Sequence, residues 1–195
     1  MYPTKYANIG KHEFLNTDVS TAAIILFIPK DGYHDMPESY PEGYIPTLKA
    51  HAETAVDVLY IEAEDVGTKW GKNFITPKVR HLHEIDSFLK KNAGNPVLAV
   101  CDAGVSRSGF VTFYLAVKND KLDGVHYSLE SAGEDPHFIR GSKYGKFFHT
   151  NPALTKYLLD SNLLTYSERK KLNAIMLRDD KPYKDDDHDG DEWLI

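Results

Sequence analysis

Three short apolar runs stand out along the first hundred residues. They are Ala22–Ile28, Val56–Ile61 and Pro96–Val100. Runs of about four to eight apolar residues bounded by turn-forming residues are typical of buried strands, and we predict a strand at each. Between the first two runs, residues 29–50 contain four prolines with aromatic residues among them. Because proline interrupts regular structure, this stretch is expected to form a long ordered loop.

The segment from 77 to 91 has the spacing of an amphipathic helix. Its apolar residues recur every three or four positions, at Val79, Leu82, Ile85, Phe88 and Leu89. Thr76 followed by Pro77 resembles an N-cap and a first-turn proline. At the other end, Lys90 and Lys91 suit the negative end of the helix dipole, and Gly94 is expected to end the helix.

Three further helices are predicted towards the C-terminus. Residues 108–118 have helical composition, Asn151-Pro152 is expected to start a helix through Leu159, and Thr165 with Glu168 has capping-box spacing for a helix to about Leu177. Strands therefore alternate with helices along the chain. This order predicts an α/β fold, with a central, mostly parallel sheet flanked by helices.

The acidic residues are unevenly distributed. The chain holds 23 Lys and Arg against 29 Asp and Glu, a net charge of 23 − 29 = −6. Residues 179–195 contain eight acids and two lysines, so this tail has a charge of 2 − 8 = −6 and residues 1–178 are neutral. We expect residues 1–178 to form a single domain and residues 179–195 to be a disordered acidic tail.

Composition also excludes several classes of protein. A neutral body lacks the basic field of a dedicated nucleic-acid binder, so nucleic acid is not an expected partner. The longest apolar run falls short of the roughly 20 residues that cross a bilayer, and no leader sequence is visible, so no membrane association is expected. A single cysteine allows no internal disulfide. Together these features predict a cytoplasmic location.

No metal or other cofactor is expected. His81 and His83 lie two positions apart on a predicted helix, so they do not share a face. Asp185, Asp187 and Asp189 resemble the opening of a calcium loop, but the closing glutamate is missing.

The segment between the third predicted strand and the following helix carries the clearest chemistry. It reads Cys101-Asp102-Ala103-Gly104-Val105-Ser106-Arg107-Ser108. A loop at the carboxyl end of a parallel strand can turn its backbone N–H groups, together with the helix dipole, towards an anion. Gly104 provides the backbone freedom for such a tight loop. Arg107 has the planar fork that pairs with two phosphate oxygens.

Cys101 is placed to act as a nucleophile in the same loop. Arg107 and the helix N-terminus favour its thiolate form. Ser108 can hydrogen-bond the sulfur and assist its departure. We therefore predict a phosphate-binding loop from Asp102 to Arg107, with Cys101 at its entrance.

These residues resemble the C-x5-R-[ST] signature of the cysteine-dependent protein tyrosine phosphatases, and Ala103–Gly109 most resembles the dual-specificity branch. The resemblance covers roughly residues 20–175. It implies hydrolysis of phosphomonoesters, including phosphorylated proteins, through a phosphoryl group carried on Cys101 without a metal. It also implies an aspartate general acid from an upstream loop, matched here by Asp65. Glu64 and Asp57 compete for that role.

The sequence departs from the family pattern at two positions. Val100 replaces the histidine that usually precedes the cysteine, and Asp102 adds a negative charge next to the nucleophile. An alternative hypothesis is therefore a phosphate- or phosphopeptide-binding pseudophosphatase with weak turnover. Related cysteine phosphatases act on RNA 5′ ends or inositol lipids. The absence of lysines inside the loop disfavours lipid, and the neutral body gives RNA no support.

Overall fold

The computed structural model describes residues 1–29, 42–63, 77–104, 106–121, 125–128, 138–141 and 147–176. In chain order the elements are β1 (Tyr6–Gly10), α1 (Lys11–Phe14), β2 (Ala23–Ile28), α2 (Tyr44–Ala52), β3 (Asp57–Glu62), α3 (Val79–Lys91), β4 (Val97–Cys101), α4 (Ser106–Lys118), β5 (Val125–Ser128), β6 (Phe138–Gly141), β7 (Phe147–His149), α5 (Pro152–Asp160) and α6 (Tyr166–Met176).

A four-stranded sheet in the order β1-β4-β2-β3 forms the centre of the fold, and all its strands are parallel. Gly10 pairs with Cys101, and Leu26 pairs with Val100. The carboxyl ends of the strands therefore meet at one edge, which is where β4 delivers Cys101. The predicted α/β fold with a parallel sheet flanked by helices is confirmed.

The position of β2 inside the sheet explains why its apolar run is uninterrupted. Its six residues are all buried, because both faces of the sheet are covered. One face, with Ile25 and Phe27, contributes to a large core shared with α3, α4 and α5. The other face, with Ile24 and Leu26, contributes to a smaller core shared with α1 and α2.

Helix α4 lies inside the larger core. Every residue from Ser106 to Val117 is buried. A helix buried all round is held rigidly by its neighbours, so the first turn of α4 is a fixed platform for the loop that precedes it.

A second sheet, β5-β6-β7, is antiparallel and has three strands. It was not predicted from the sequence. Arg140 pairs with His126 in β5 and with Phe147 in β7, so β6 is the middle strand.

The prediction of one long loop over residues 29–50 was wrong in its last part, where α2 begins at Tyr44. Pro46 lies in the first turn of α2, where a missing N–H costs no intrahelical hydrogen bond. Leu48 and Ala52 are buried and hold the helix against the smaller core. Strand β1 and the short helix α1 were also not predicted.

The predicted helix starts are largely confirmed. Asn151 caps α5, since its side-chain oxygen accepts hydrogen bonds from the N–H groups of Ala153 and Leu154 at 3.1 and 3.2 Å. Thr165 and Glu168 form the expected capping box of α6.

Helix α3 begins later than predicted, at Val79 with Lys78 as N-cap, so Pro77 precedes the helix. It ends at Lys91 as predicted, although Asn92 rather than Gly94 is its cap. Among the helices within the described ranges, none combines the length and apolar character needed to cross a membrane. The acidic tail, residues 179–195, lies outside those ranges.

Candidate active site

The predicted phosphate loop runs from the end of β4 to the start of α4, at the carboxyl edge of the parallel sheet. Its chemical groups are deeply buried: Cys101 is 2% exposed, Arg107 4% and Ser108 0%. The helix begins at Ser106 rather than at the predicted Ser108. Arg107 and Ser108 therefore both lie in its first turn, next to the positive end of the helix dipole.

The thiol of Cys101 and the hydroxyl of Ser108 are in contact. Their Sγ and Oγ atoms are 3.1 Å apart in a buried environment. Because a serine hydroxyl can donate a hydrogen bond, this geometry suits stabilisation of a thiolate.

Within the described part of the chain, the guanidinium group of Arg107 has one nitrogen with a hydrogen-bond partner and one without. Its Nη1 donates a hydrogen bond of 2.7 Å to the backbone oxygen of Ala63, the residue that follows β3. Its Nε is buried and has no hydrogen-bond partner among the described residues. Buried polar atoms are nearly always paired, so an open donor on a cationic fork marks a place for an acceptor, such as an anion.

Gly104 allows the loop to approach β1 closely. It has a φ of 74°, in the left-handed region that favours glycine. A Cβ atom at this position would lie 2.3 Å from the backbone nitrogen of Gly10, which no side chain can occupy. The predicted need for glycine here is confirmed, with a steric reason in addition to the backbone one.

Asn8 of β1 ties the loop to its surroundings. Its Nδ2 donates a 2.6 Å hydrogen bond to the backbone oxygen of Gly104. Its Oδ1 accepts a hydrogen bond of 3.2 Å from the hydroxyl of Thr112 in α4. Asn8 thus bridges the loop and the helix, and sequence analysis missed it because β1 itself was missed.

Lys11 is a second residue that sequence analysis missed. Its ammonium group forms an ion pair with the carboxylate of Asp102, and its backbone N–H donates to the Asp102 backbone oxygen at 3.1 Å. The Lys11 side chain is only 6% exposed, whereas that of Asp102 is 35% exposed. The negative charge that the sequence puts into the loop is therefore paired with a buried cation.

The remaining loop positions have different surroundings. Ala103 is exposed at the rim, and the backbone oxygen of Ser106 accepts a hydrogen bond of 3.2 Å from the N–H of Asn151, which ties the loop to α5. Val105 lies outside the described residues. Val100 is fully buried in the smaller core, with Leu26 among its apolar neighbours. An apolar side chain therefore suits position 100.

The structure separates one of the three candidate acids from the loop. Asp57 opens β3, so it lies at the amino edge of the sheet, roughly 17 Å of strand away from the carboxyl edge. There its carboxylate accepts from Asn92 at 2.8 Å and pairs with Lys91 at 2.9 Å. Glu64 and Asp65 both lie outside the described residues.

The described residues contain no group of three or more His, Cys, Asp or Glu side chains arranged to hold a metal ion. His81 is buried and His83 is exposed, so the two imidazoles lie on different faces of α3 as predicted.

Comparisons with known proteins give structural likenesses only. No protein-family model matches the sequence, and no curated protein matches it. The chain is similar to the crystal structure of Tk-PTP in the active form, with 15% sequence identity and a TM-score of 0.38, over 89% of this chain and 90% of that chain. It is similar to a mutant form of Tk-PTP at the same identity and TM-score, over 91% and 93% of the two chains.

Proposed function

We propose that this chain is a cysteine-dependent phosphomonoester hydrolase of the tyrosine or dual-specificity phosphatase type. The observation that carries the proposal is the open Nε of the buried Arg107, at the same sheet edge as a buried thiol in contact with a hydroxyl. A buried donor without a partner is completed by an acceptor, and the positive charge of the guanidinium favours an anionic one. The C-x5-R-S spacing, which resembles the tyrosine phosphatase signature, supports a phosphoryl group as that anion.

In the first step, the Cys101 thiolate attacks the phosphorus of a bound phosphomonoester. A sulfur–phosphorus bond forms, and the bond from phosphorus to the leaving oxygen breaks. Arg107 and the loop N–H groups stabilise the charge on the phosphoryl oxygens. Asp65 donates a proton to the leaving oxygen, which departs as an alcohol or phenol.

In the second step, water attacks the phosphorus of the cysteinyl phosphate. Asp65, now a carboxylate, accepts a proton from the water, and the sulfur leaves as a thiolate. The Ser108 hydroxyl, 3.1 Å from Sγ, stabilises this leaving thiolate. Inorganic phosphate is released and the starting state is restored, with no redox change and no metal in either step.

The direct test is hydrolysis of an aryl phosphate by the purified protein. We expect turnover in the wild type, and a loss of at least about a thousand-fold in kcat/KM for Cys101→Ser. The substitution replaces one buried atom, so its urea unfolding curve serves as the control for folding. Equal hydrolysis by the variant and the wild type would refute the proposal.

The assignment of the acid needs its own test. Asp65→Asn is expected to lower kcat for aryl phosphates by about a hundred-fold while leaving the inhibition constant of inorganic phosphate nearly unchanged. Asp57→Asn is the matched control, because Asp57 lies at the opposite edge of the sheet. If Glu64→Gln rather than Asp65→Asn has the large effect, the acid is Glu64.

The second candidate function is binding of phosphopeptides without efficient turnover. It is favoured by the apolar environment of Val100, which offers the loop no side-chain hydrogen bond. Titration with a phosphotyrosine peptide that shows saturable binding, together with no phosphate release between about pH 5 and 8, would select this function over hydrolysis.

A further inference from the structure

The ion pair between Lys11 and Asp102 joins two segments that are distant in sequence. Asp102 directly follows Cys101, whereas Lys11 begins α1. The pair is reinforced by the backbone bond from the Lys11 N–H to the Asp102 oxygen, at 3.1 Å. Side chain and backbone therefore fix the same two residues together.

An unpaired carboxylate at position 102 would oppose both parts of the proposed chemistry. A like charge close to a thiol disfavours its thiolate form, and it repels an incoming phosphate dianion. In this chain the Asp102 carboxylate is not unpaired, because the buried ammonium group of Lys11 lies against it.

Within the described ranges, two titratable groups from two elements lie near this pair. They are Tyr44 of α2 and, in contact with Tyr44, His12 of α1. The Lys11 ammonium lies 5.6 Å from the centre of the Tyr44 ring, and the Tyr44 hydroxyl is 3.2 Å from His12 Nδ1. Burial, and then the negative charge of Asp102, raise the pKa of Tyr44, so Tyr44 stays neutral near the loop.

Resting on the function proposed above, we propose that Lys11 is a positioning residue that neutralises Asp102 and so permits a thiolate at Cys101 and a phosphate dianion in the loop. Lys11 acts through Asp102, with which its ammonium group pairs. Asn8 holds the Gly104 end of the loop, and Lys11 holds the Asp102 end. The β1–α1 segment thus contacts the loop at Asp102 and at Gly104.

The test measures the reactivity of Cys101 directly, without relying on turnover. Cys101 is the only cysteine in the sequence, so alkylation by iodoacetamide reports on this thiol alone. We expect Lys11→Met to raise the pH midpoint of the alkylation rate by about one unit, because the Asp102 carboxylate is no longer neutralised. The double variant Lys11→Met/Asp102→Asn should return the midpoint to within about 0.3 unit of the wild type.

A matched control separates this role from a purely structural one. Lys118 is as deeply buried as Lys11, with a side chain 5% exposed, and it pairs with Glu168 at 3.0 Å, away from the loop. Lys118→Met should lower the melting temperature while leaving the alkylation midpoint where it is in the wild type. Melting temperatures of all four proteins show which measurements are made on folded protein.

Two results would overturn the inference. One is a pH midpoint of alkylation in folded Lys11→Met that equals the wild-type midpoint. The other is an equal upward shift in Lys11→Met and in the double variant, because Lys11 would then act on Cys101 without Asp102. Either can occur while the wild type still hydrolyses aryl phosphates. Conversely, a chain that only binds phosphate can still show the predicted shift and its reversal, so the two proposals fail independently.

Discussion

Two polar clusters lie beside α4, and they differ in whether their hydrogen bonds are complete. The first, the thiol cluster, consists of Cys101, Arg107 and Ser108. The second, the Asp86 cluster, consists of Tyr2, Asp86, Lys90 and Tyr114. In the Asp86 cluster the carboxylate accepts from the two tyrosines at 2.6 and 2.7 Å and from Lys90 at 2.8 Å. In the thiol cluster, no described residue accepts a hydrogen bond from Arg107 Nε.

This difference teaches how to distinguish a structural polar cluster from a binding site. A complete cluster gains nothing from a ligand, so its contribution is to stability. Burial, together with the hydrogen bonds shared with Tyr2 and Asp86, raises the pKa of Tyr114, which keeps its hydroxyl proton as a donor. An open cluster is completed only when an acceptor binds.

The largest expected effect comes from removing the guanidinium group of the thiol cluster. Arg107→Met should lower kcat/KM for an aryl phosphate by a thousand-fold or more, roughly 4 kcal/mol of transition-state stabilisation. Its free energy of unfolding should stay within about 1 kcal/mol of the wild type, because the lost bond to Ala63 is offset by removal of a buried, incompletely paired charge. Activity assays and urea unfolding of the same preparation check both parts.

Arg107→Lys sharpens this result, since it keeps the positive charge and removes the planar fork. We expect it to recover little of the lost activity. Near-complete recovery would mean that charge alone, and not the open Nε, accounts for the binding.

The next effect in size is on the Asp86 cluster. Asp86→Asn should lower the free energy of unfolding by about 2 kcal/mol, because Lys90 loses its partner and the hydrogen bonds from the tyrosines lose their charged acceptor. Activity at a temperature where the variant is folded should remain within about two-fold of the wild type. A larger loss of activity in folded Asp86→Asn would show that the two clusters are coupled through α4.

The smallest effect is the pH dependence of stability. Burial works against the charged form of Asp86, but hydrogen bonds from Lys90, Tyr2 and Tyr114 outweigh it and hold the carboxyl pKa below its usual range. The stabilisation is therefore complete above the unfolded-state pKa and is lost as the pH falls through the lower folded-state pKa. The stability difference between wild type and Asp86→Asn should shrink between about pH 5 and pH 2. A constant difference over that range would contradict this origin.

The sequence predicted the elements whose signals are local. Strand β2 is an unbroken apolar run because both its faces are covered, and the caps at Asn151 and Thr165 involve residues at most three positions away. The segment from Cys101 to Ser108 was singled out for the same reason, since its motif lies within eight residues.

The parts that could not be predicted depend on contacts between distant segments. Strand β1 has no apolar run and is stabilised by pairing with β4. The role of Asn8 depends on a partner 96 residues away, and the role of Lys11 depends on Asp102. Helix α2 was not predicted because Pro46 indicates a loop in the sequence. Proline is, however, tolerated in the first turn of a helix, where Pro46 lies.

The most direct test of the account is to trap the phosphoryl group on the enzyme. The wild-type protein is mixed with an aryl phosphate, quenched in acid within the first turnover, digested and analysed by mass spectrometry. We predict one phosphoryl group on the peptide that contains Cys101, and none on that peptide in Cys101→Ala. Hydrolysis of the substrate with no phosphoryl group on Cys101 at any quench time would contradict the account.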